Sequence, residues 1–193
     1  MIDFTNATFV KSAPTLSLKP LDNYPEVLFV GRSNVGKSSL INALTKKKKL
    51  AFTSSKPGYT KLLNYYLIDN KFYLVDAPGY GYTVSGSKHL DAFSKMMEDY
   101  FENPQLVLVV LLLDSRRVPN EDDLSFVEFL KDKDIKFLVV MSKIDKLNQS
   151  ETSKMKKNIL EAFGEINYLT VSINKIATLE KVKDAISYAI INK

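Results

Sequence analysis

The octet Gly31-Arg32-Ser33-Asn34-Val35-Gly36-Lys37-Ser38 fits the pattern G-x-x-x-x-G-K-[ST], and each fixed position in that pattern answers a chemical need. Its glycines let the backbone curl until several N–H groups point at one anion, at the positive end of the helix that follows. Lys37 is then placed to neutralise the β and γ oxygens of a phosphate chain, and the Ser38 hydroxyl to ligate Mg²⁺. The flanks agree: Val27-Leu28-Phe29-Val30 reads as a strand, and Ser39-Leu40-Ile41-Asn42-Ala43-Leu44 carries a helical apolar spacing. A glycine turn with a chance lysine is the alternative, and requiring both flanks makes it rarer.

Other polar residues follow apolar runs, at the strand ends where ligands of parallel sheets sit. After Leu74-Val75 comes Asp76-Ala77-Pro78-Gly79. An aspartate there can hold Mg²⁺ through water, and the glycine lets its N–H approach a γ-phosphate. After Val139-Val140-Met141 comes Ser142-Lys143-Ile144-Asp145, and after Leu169-Thr170-Val171 comes Ser172. This is the order of polar strand ends that a guanine-nucleotide site requires. Lys46-Lys47-Lys48-Lys49 and Thr53-Ser54-Ser55-Lys56-Pro57-Gly58-Tyr59-Thr60 make a long stretch of little periodicity, and such loops in compact domains are usually functional.

Placing these ends side by side needs a sheet. Unbroken apolar runs at 106–113, 137–141 and 167–171 read as strands, and 62–68 with 71–76 around Asp69-Asn70 reads as a hairpin. Helical patterns fall at 89–101, 121–132, 151–163 and 177–191. The alternation predicts an α/β fold: a doubly wound, mainly parallel sheet with helices on both faces, right-handed crossovers and one antiparallel strand. Residues 4–20 suggest an edge strand before Pro14, so residues 1–25 are expected to form an N-terminal extension on or near the sheet edge. The 193 residues are expected to make a single domain.

The absence of cysteine excludes disulfides, thiolate metal sites, cysteine nucleophiles and C-terminal lipid anchors. The opening residues lack the basic-then-apolar layout of a signal peptide, and no apolar run reaches membrane-spanning length. A cytoplasmic monomer without a membrane anchor is expected. The net charge of +5 is uneven: residues 1–61 hold ten Lys or Arg against three Asp or Glu, and the rest sum to −2. A local basic patch suggests nucleic acid as partner. The alternative is a general lysine bias, since only three of the 27 basic residues are arginine.

Taken together, Gly31 to Ser38, Pro57-Gly58-Tyr59-Thr60, Asp76-Ala77-Pro78-Gly79, Ser142-Lys143-Ile144-Asp145 and Ser172 resemble the five motifs of a translation-factor-type GTPase. The first, extended to Ser39, joined with Asp76-Ala77-Pro78-Gly79-Tyr80-Gly81-Tyr82, resembles the bacterial EngB family, also called YihA or YsxC. That resemblance implies a P-loop GTPase with Mg²⁺ and GTP or GDP as ligands. It also implies a role in late assembly of the large ribosomal subunit on its precursor and rRNA, and a link to cell division and septation. A switch that binds a division protein without ribosome contact is the alternative. By the same resemblance Asp145 accepts from guanine N1 and N2, and Lys143 covers the base. Ser172, flanked by Val171 and Ile173, presents an N–H near the guanine oxygen. Thr60 joins Mg²⁺ and the γ-phosphate only with triphosphate bound, so Lys37, Thr60 and Gly79 are the catalytic candidates.

The chain departs from the wider pattern in four places. Tyr80 stands where Ras-like enzymes carry a water-orienting glutamine, which implies slow intrinsic hydrolysis needing outside help. Ser142 replaces the common asparagine or the family's threonine and is expected to weaken base binding slightly. Ile173 stands where a small residue is usual, and Ser172 to Thr178 contains no glycine. Asn34, at the fourth position of the phosphate loop, either holds a K⁺ ion beside the phosphates, as it does in some GTPases, or only braces the loop. His89, the only histidine, reads as a surface or packing residue. Asp114-Ser115-Arg116-Arg117 reads as a solvated loop or as a phosphate or RNA contact.

Overall fold

The β-branched and aromatic runs form the strands, and their alternation divides the core into two layers. In the computed structural model, which describes residues 2–53, 62–80 and 97–193, seven strands make one sheet. They are β1 (Ala7–Ala13), β2 (Glu26–Gly31), β3 (Leu63–Ile68), β4 (Phe72–Asp76), β5 (Leu106–Asp114), β6 (Phe137–Ser142) and β7 (Tyr168–Thr170). The spatial order is β1-β3-β4-β2-β5-β6-β7. β2, β4, β5, β6 and β7 pair in parallel, while β3 runs against both of its neighbours, β1 and β4. It is thus the one antiparallel strand of the doubly wound α/β sheet. The hairpin turns at Asp69 and Asn70, both left-handed with φ of 51° and 50°. Two successive positive φ values match the right-handed twist of the strands they join.

The helices that lie wholly within the described residues are α1 (Lys37–Leu44), α2 (Glu121–Asp132), α3 (Gln149–Phe163) and α4 (Ile176–Ile191). On one face Val27, Phe29, Val110 and Leu112 pack with Leu40, Ile41 and Leu44 of α1 and Leu179, Val182 and Ile186 of α4. On the other, Leu28, Val30, Val109 and Leu111 pack with Val127 and Leu130 of α2 and Met155, Ile159 and Phe163 of α3. Successive residues of β2 and β5 serve opposite layers, which is why both strands are continuous apolar runs. α3 starts at Gln149, two residues before the pattern, because Asn148 caps it reciprocally with Glu151. Of the helix expected at 89–101, residues 97–101 are described and helical; His89 lies outside the described residues.

Parallel register brings the carboxyl ends together. Gly31 pairs with Leu112, Phe29 with Asp76, Asp114 with Ser142 and Met141 with Thr170. At the sheet's edge β1 pairs with β3, and Phe4 meets Phe72 edge-on at 5.7 Å between ring centroids. No described helix is long and apolar enough to cross a membrane.

Candidate nucleotide-binding site

The loop between β2 and α1 requires its first glycine. Gly31 has φ 149°, and a Cβ there would stand 2.5 Å from the Leu112 carbonyl oxygen. Gly36, at φ 110°, opens α1 in a backbone region that side chains disfavour. Asn34 between them is also left-handed, at φ 62°. Lys37 lies back along the loop, 7 % exposed, and its Nζ donates to the Gly31 carbonyl at 3.0 Å and the Arg32 carbonyl at 3.4 Å. Burial lowers its pKa, and the nearby Asp76 carboxylate opposes that.

Asp76 ends β4 only 1 % exposed. Its Oδ2 accepts from the Ser38 hydroxyl at 2.6 Å, while Oδ1 is buried and has no hydrogen-bond partner among the described residues. Burial raises its pKa against the pull of Lys37 and Ser38. A buried carboxylate oxygen left unmatched beside a hydroxyl is costly unless something cationic completes it, so the pair fits a hard divalent cation with oxygen ligands. Ala77 is buried, its N–H bound to the Phe29 carbonyl at 3.1 Å, and Pro78 carries the chain on to Gly79. A Cβ on Gly79 would stand 2.6 Å from the Ser33 nitrogen, so this glycine lies against the phosphate loop. The Ser33 N–H in turn donates to the Tyr80 carbonyl at 3.3 Å. Ser39, in the first turn of α1, is half-buried.

The neighbouring strand ends clamp the loop from its other side. The Ser142 hydroxyl lies 2.9 Å from the Val35 carbonyl oxygen and 3.1 Å from that of Leu113, both acceptors for its one proton. Ser142 therefore ties β6 to the loop as well as standing in the base motif. Lys143, left-handed at φ 61°, sends its Nζ to the Asn34 carbonyl at 3.0 Å and to Asp114 Oδ2 at 2.9 Å. Burial pushes the Asp114 carboxyl up, but hydrogen bonds from Arg116 and Lys143 overcome it and hold the group well below the usual range. Asp145 stays exposed, and the Ser172 hydroxyl lowers its pKa, keeping it ionised as an acceptor.

The Ile144 N–H donates to the Val171 carbonyl at 3.3 Å, which joins the last two motifs. Ser172 is fully buried, and its own N–H donates to Thr178 Oγ1 at 3.1 Å. The Thr178 hydroxyl lies against the loop that follows Ser172, 3.0 Å from the Ser172 carbonyl oxygen. Ile173 is exposed. Pro57, Gly58, Tyr59 and Thr60 lie outside the described residues, as do Gly81 and Tyr82.

Three contacts carried no sequence signal strong enough to find them. Asn42 of α1 clasps Ala51 by two hydrogen bonds of 2.8 Å, fixing where the chain leaves toward residue 54. Thr178 and the Asp114–Lys143 pair are the others. Of the Arg116-Arg117 pair, Arg116 is engaged by Asp114, at 2.9 Å from Nε and 2.7 Å from Nη2. Arg32, Arg116 and Arg117, all the arginines of the chain, line one cavity of about 160 Å³ beside the loop.

Residues 26–143 match the family model described as 50S ribosome-binding GTPase. A probable GTP-binding protein EngB of Lactobacillus acidophilus is 44 % identical over 163 residues, covering 84 % of this chain and 83 % of that one. Another, of Mesoplasma florum, is 45 % identical over 187 residues, covering 96 % and 93 %. The chain belongs to the EngB family of GTP-binding proteins. The crystal structure of a probable GTP-binding protein EngB superposes with a TM-score of 0.67 at 23 % identity, covering 87 % of this chain and 99 % of that one. As an EngB-family protein the chain is a GTPase.

Proposed function

We propose that this EngB-family GTPase is a slow, Mg²⁺-dependent GTP switch acting in assembly of the large ribosomal subunit on rRNA. The observation that carries the Mg²⁺-nucleotide site is Asp76: a buried carboxylate with one oxygen on Ser38 and the other unmatched, one loop away from Lys37. Ser38 and Thr60 are the direct Mg²⁺ ligands and Asp76 holds the ion through water. When bound, Mg²⁺ neutralises charge on the β and γ phosphates. Backbone N–H groups of residues 36–39, at the start of α1, cradle the phosphates, and Lys37 leaves its two carbonyls to pair with them. Gly79 reports the γ-phosphate, as does Thr60 within 57–60. Asp145, kept ionised by Ser172, selects guanine, because adenine offers no matching pair of donors. Lys143 is already braced between Asn34 and Asp114 to cover the base.

Two features support an rRNA partner: the family's description as 50S ribosome-binding, and the placement of cationic side chains. Lys46 to Lys49 are all exposed beyond α1, and the arginines gather beside the phosphate loop. The test is co-sedimentation with large-subunit precursors. It is expected to require GTP, to weaken steeply with salt, and to lose part of that slope when Lys46 to Lys49 become glutamine. Nucleotide-independent or salt-insensitive association would overturn the rRNA reading and favour a protein partner.

A further inference from the structure

Tyr80 follows Gly79 where a water-orienting glutamine is usual, and its side chain turns away from the loop toward α2. Its hydroxyl donates to Asp123 Oδ1 at 2.7 Å, and its ring stacks on Phe126 with centroids 5.7 Å apart and planes 28° apart. Its backbone bonds in the other direction: the carbonyl accepts from Ser33, and residues 32 and 80 form a parallel bridge. One residue therefore ties the third motif to the phosphate loop by main chain and to α2 by side chain. Asp123 is itself fixed. It is buried, and its Oδ2 accepts from the Asn120 N–H at 3.0 Å in the capping box that opens α2.

We propose that Asp123, acting through Tyr80, is a positioning residue for GTP: it holds Gly79 against the phosphate loop in the place where its N–H meets the terminal phosphate. This rests on the reading of Gly79 given above. The physical argument is one of preorganisation. Ala77 is tied to Phe29 by its N–H, but Pro78 and Gly79 after it carry no side chain long enough to anchor themselves, so their place depends on the next residue. Tyrosine supplies that anchor by burying a ring on Phe126 and satisfying a carboxylate that burial would otherwise leave short of a partner. GDP has no terminal phosphate for Gly79 to meet. Loosening the anchor therefore acts on GTP and leaves GDP alone, whereas general damage to the fold weakens both.

The experiment compares the unaltered protein with Tyr80→Phe, Asp123→Asn and the double variant. Affinities for GTPγS and GDP are measured by calorimetry, and hydrolysis by single turnover. Tyr80→Phe keeps the ring stack and the helix cap and removes only the hydroxyl. It is expected to lower GTPγS affinity and single-turnover rate about tenfold, the loss of a hydrogen bond to a charged group, with GDP affinity unchanged. The double variant is expected to be no worse than Tyr80→Phe, since both changes break one contact. Equal losses for GTPγS and GDP, or additive losses in the double variant, would overturn the proposal. Gly79→Ala separates it from the underlying reading. If Gly79→Ala loses the GTP preference and Tyr80→Phe keeps it, the positioning role fails alone; if Gly79→Ala keeps the preference, the role of Gly79 fails and takes the proposal with it.

Discussion

The sheet holds one buried acid at each end of its central region, each 1 % exposed, and they are treated differently. At the amino end of β2, Glu26 is saturated. Lys19 donates to Oε1 at 2.7 Å, and Tyr100 and Asn103 donate to Oε2, Asn103 at 2.9 Å. Lys19 also reaches Asn103 and Gln105, so the cluster pins the N-terminal segment to the residues before β5. At the carboxyl end of β4, Asp76 has Ser38 on one oxygen and nothing among the described residues on the other. Folding has spent the first acid on architecture and has left one oxygen of the second short of a partner among the described residues, which agrees with the cation site proposed above. Burial alone does not separate structural from functional acids; the count of satisfied oxygens does.

The strongest way to break this contrast is to neutralise each acid in turn. Asp76→Asn is expected to reduce GTP turnover at least a hundredfold while making the nucleotide-free protein more stable at neutral pH by about 1 kcal/mol, since a poorly compensated buried charge is gone. The pH dependence has a fixed sign. The folded pKa of Asp76 is raised above its ordinary 3.8, so its contribution to stability is present below that value and lost as pH rises through the folded one. Melting of the nucleotide-free protein between pH 4 and pH 8 should therefore lose this component in Asp76→Asn. A variant that is both inactive and less stable would show that Asp76, like Glu26, is architectural.

Glu26→Gln is the reciprocal change. It breaks the pair with Lys19 and weakens the acceptor of Tyr100, and should cost about 3 kcal/mol in denaturant unfolding with GTP affinity unaltered. A drop in GTP affinity as large as the drop in stability would mean that the two ends of the sheet are coupled. Asp145→Asn sharpens the comparison with a third kind of acid, exposed and only steered by Ser172. It should shift preference from GTP toward xanthosine triphosphate by about a hundredfold, with no change in melting temperature. Unchanged selectivity in nucleotide competition would remove Asp145 from the base site.

How much of this was legible in the sequence follows the range of each interaction. The phosphate loop could be read because its conformation makes local demands: Gly31 has no room for a Cβ, and Gly36 sits at positive φ. The parallel sheet and its single reversed strand could be read from apolar runs and from Asp69-Asn70, whose left-handed turn is a property of adjacent residues. Glu26 carried no such mark, since its partners lie 7 to 77 positions away in three side chains of unrelated type. For the same reason Tyr80 read only as a missing glutamine, because Asp123 and Phe126 come from another element. Ser142 read as a weakened base contact, and its bond to Val35 spans 107 residues.

The smallest effect expected concerns the charge that hydrolysis needs beside the phosphates. Tyr80 is turned to α2, and Arg116 and Lys143 are both engaged by Asp114. Asn34 stands at the tip of the loop, held at φ 62° with its carbonyl fixed by Lys143. A K⁺ ion held by the Asn34 side-chain oxygen would place a mobile positive charge where an arginine supplied by another protein would otherwise come. Such a charge stabilises the transition state more than the ground state, so it raises rate more than affinity. Turnover is therefore expected to be several-fold faster in potassium than in sodium at equal ionic strength, and Asn34→Ala to erase the difference with a modest loss of GTP binding. Were turnover identical in both salts, Asn34 would only brace the loop, and the missing charge would have to come from a macromolecular partner. The same contrast would then apply between molecules: Glu26 finds its cation within the chain, and the nucleotide site waits for one from outside it.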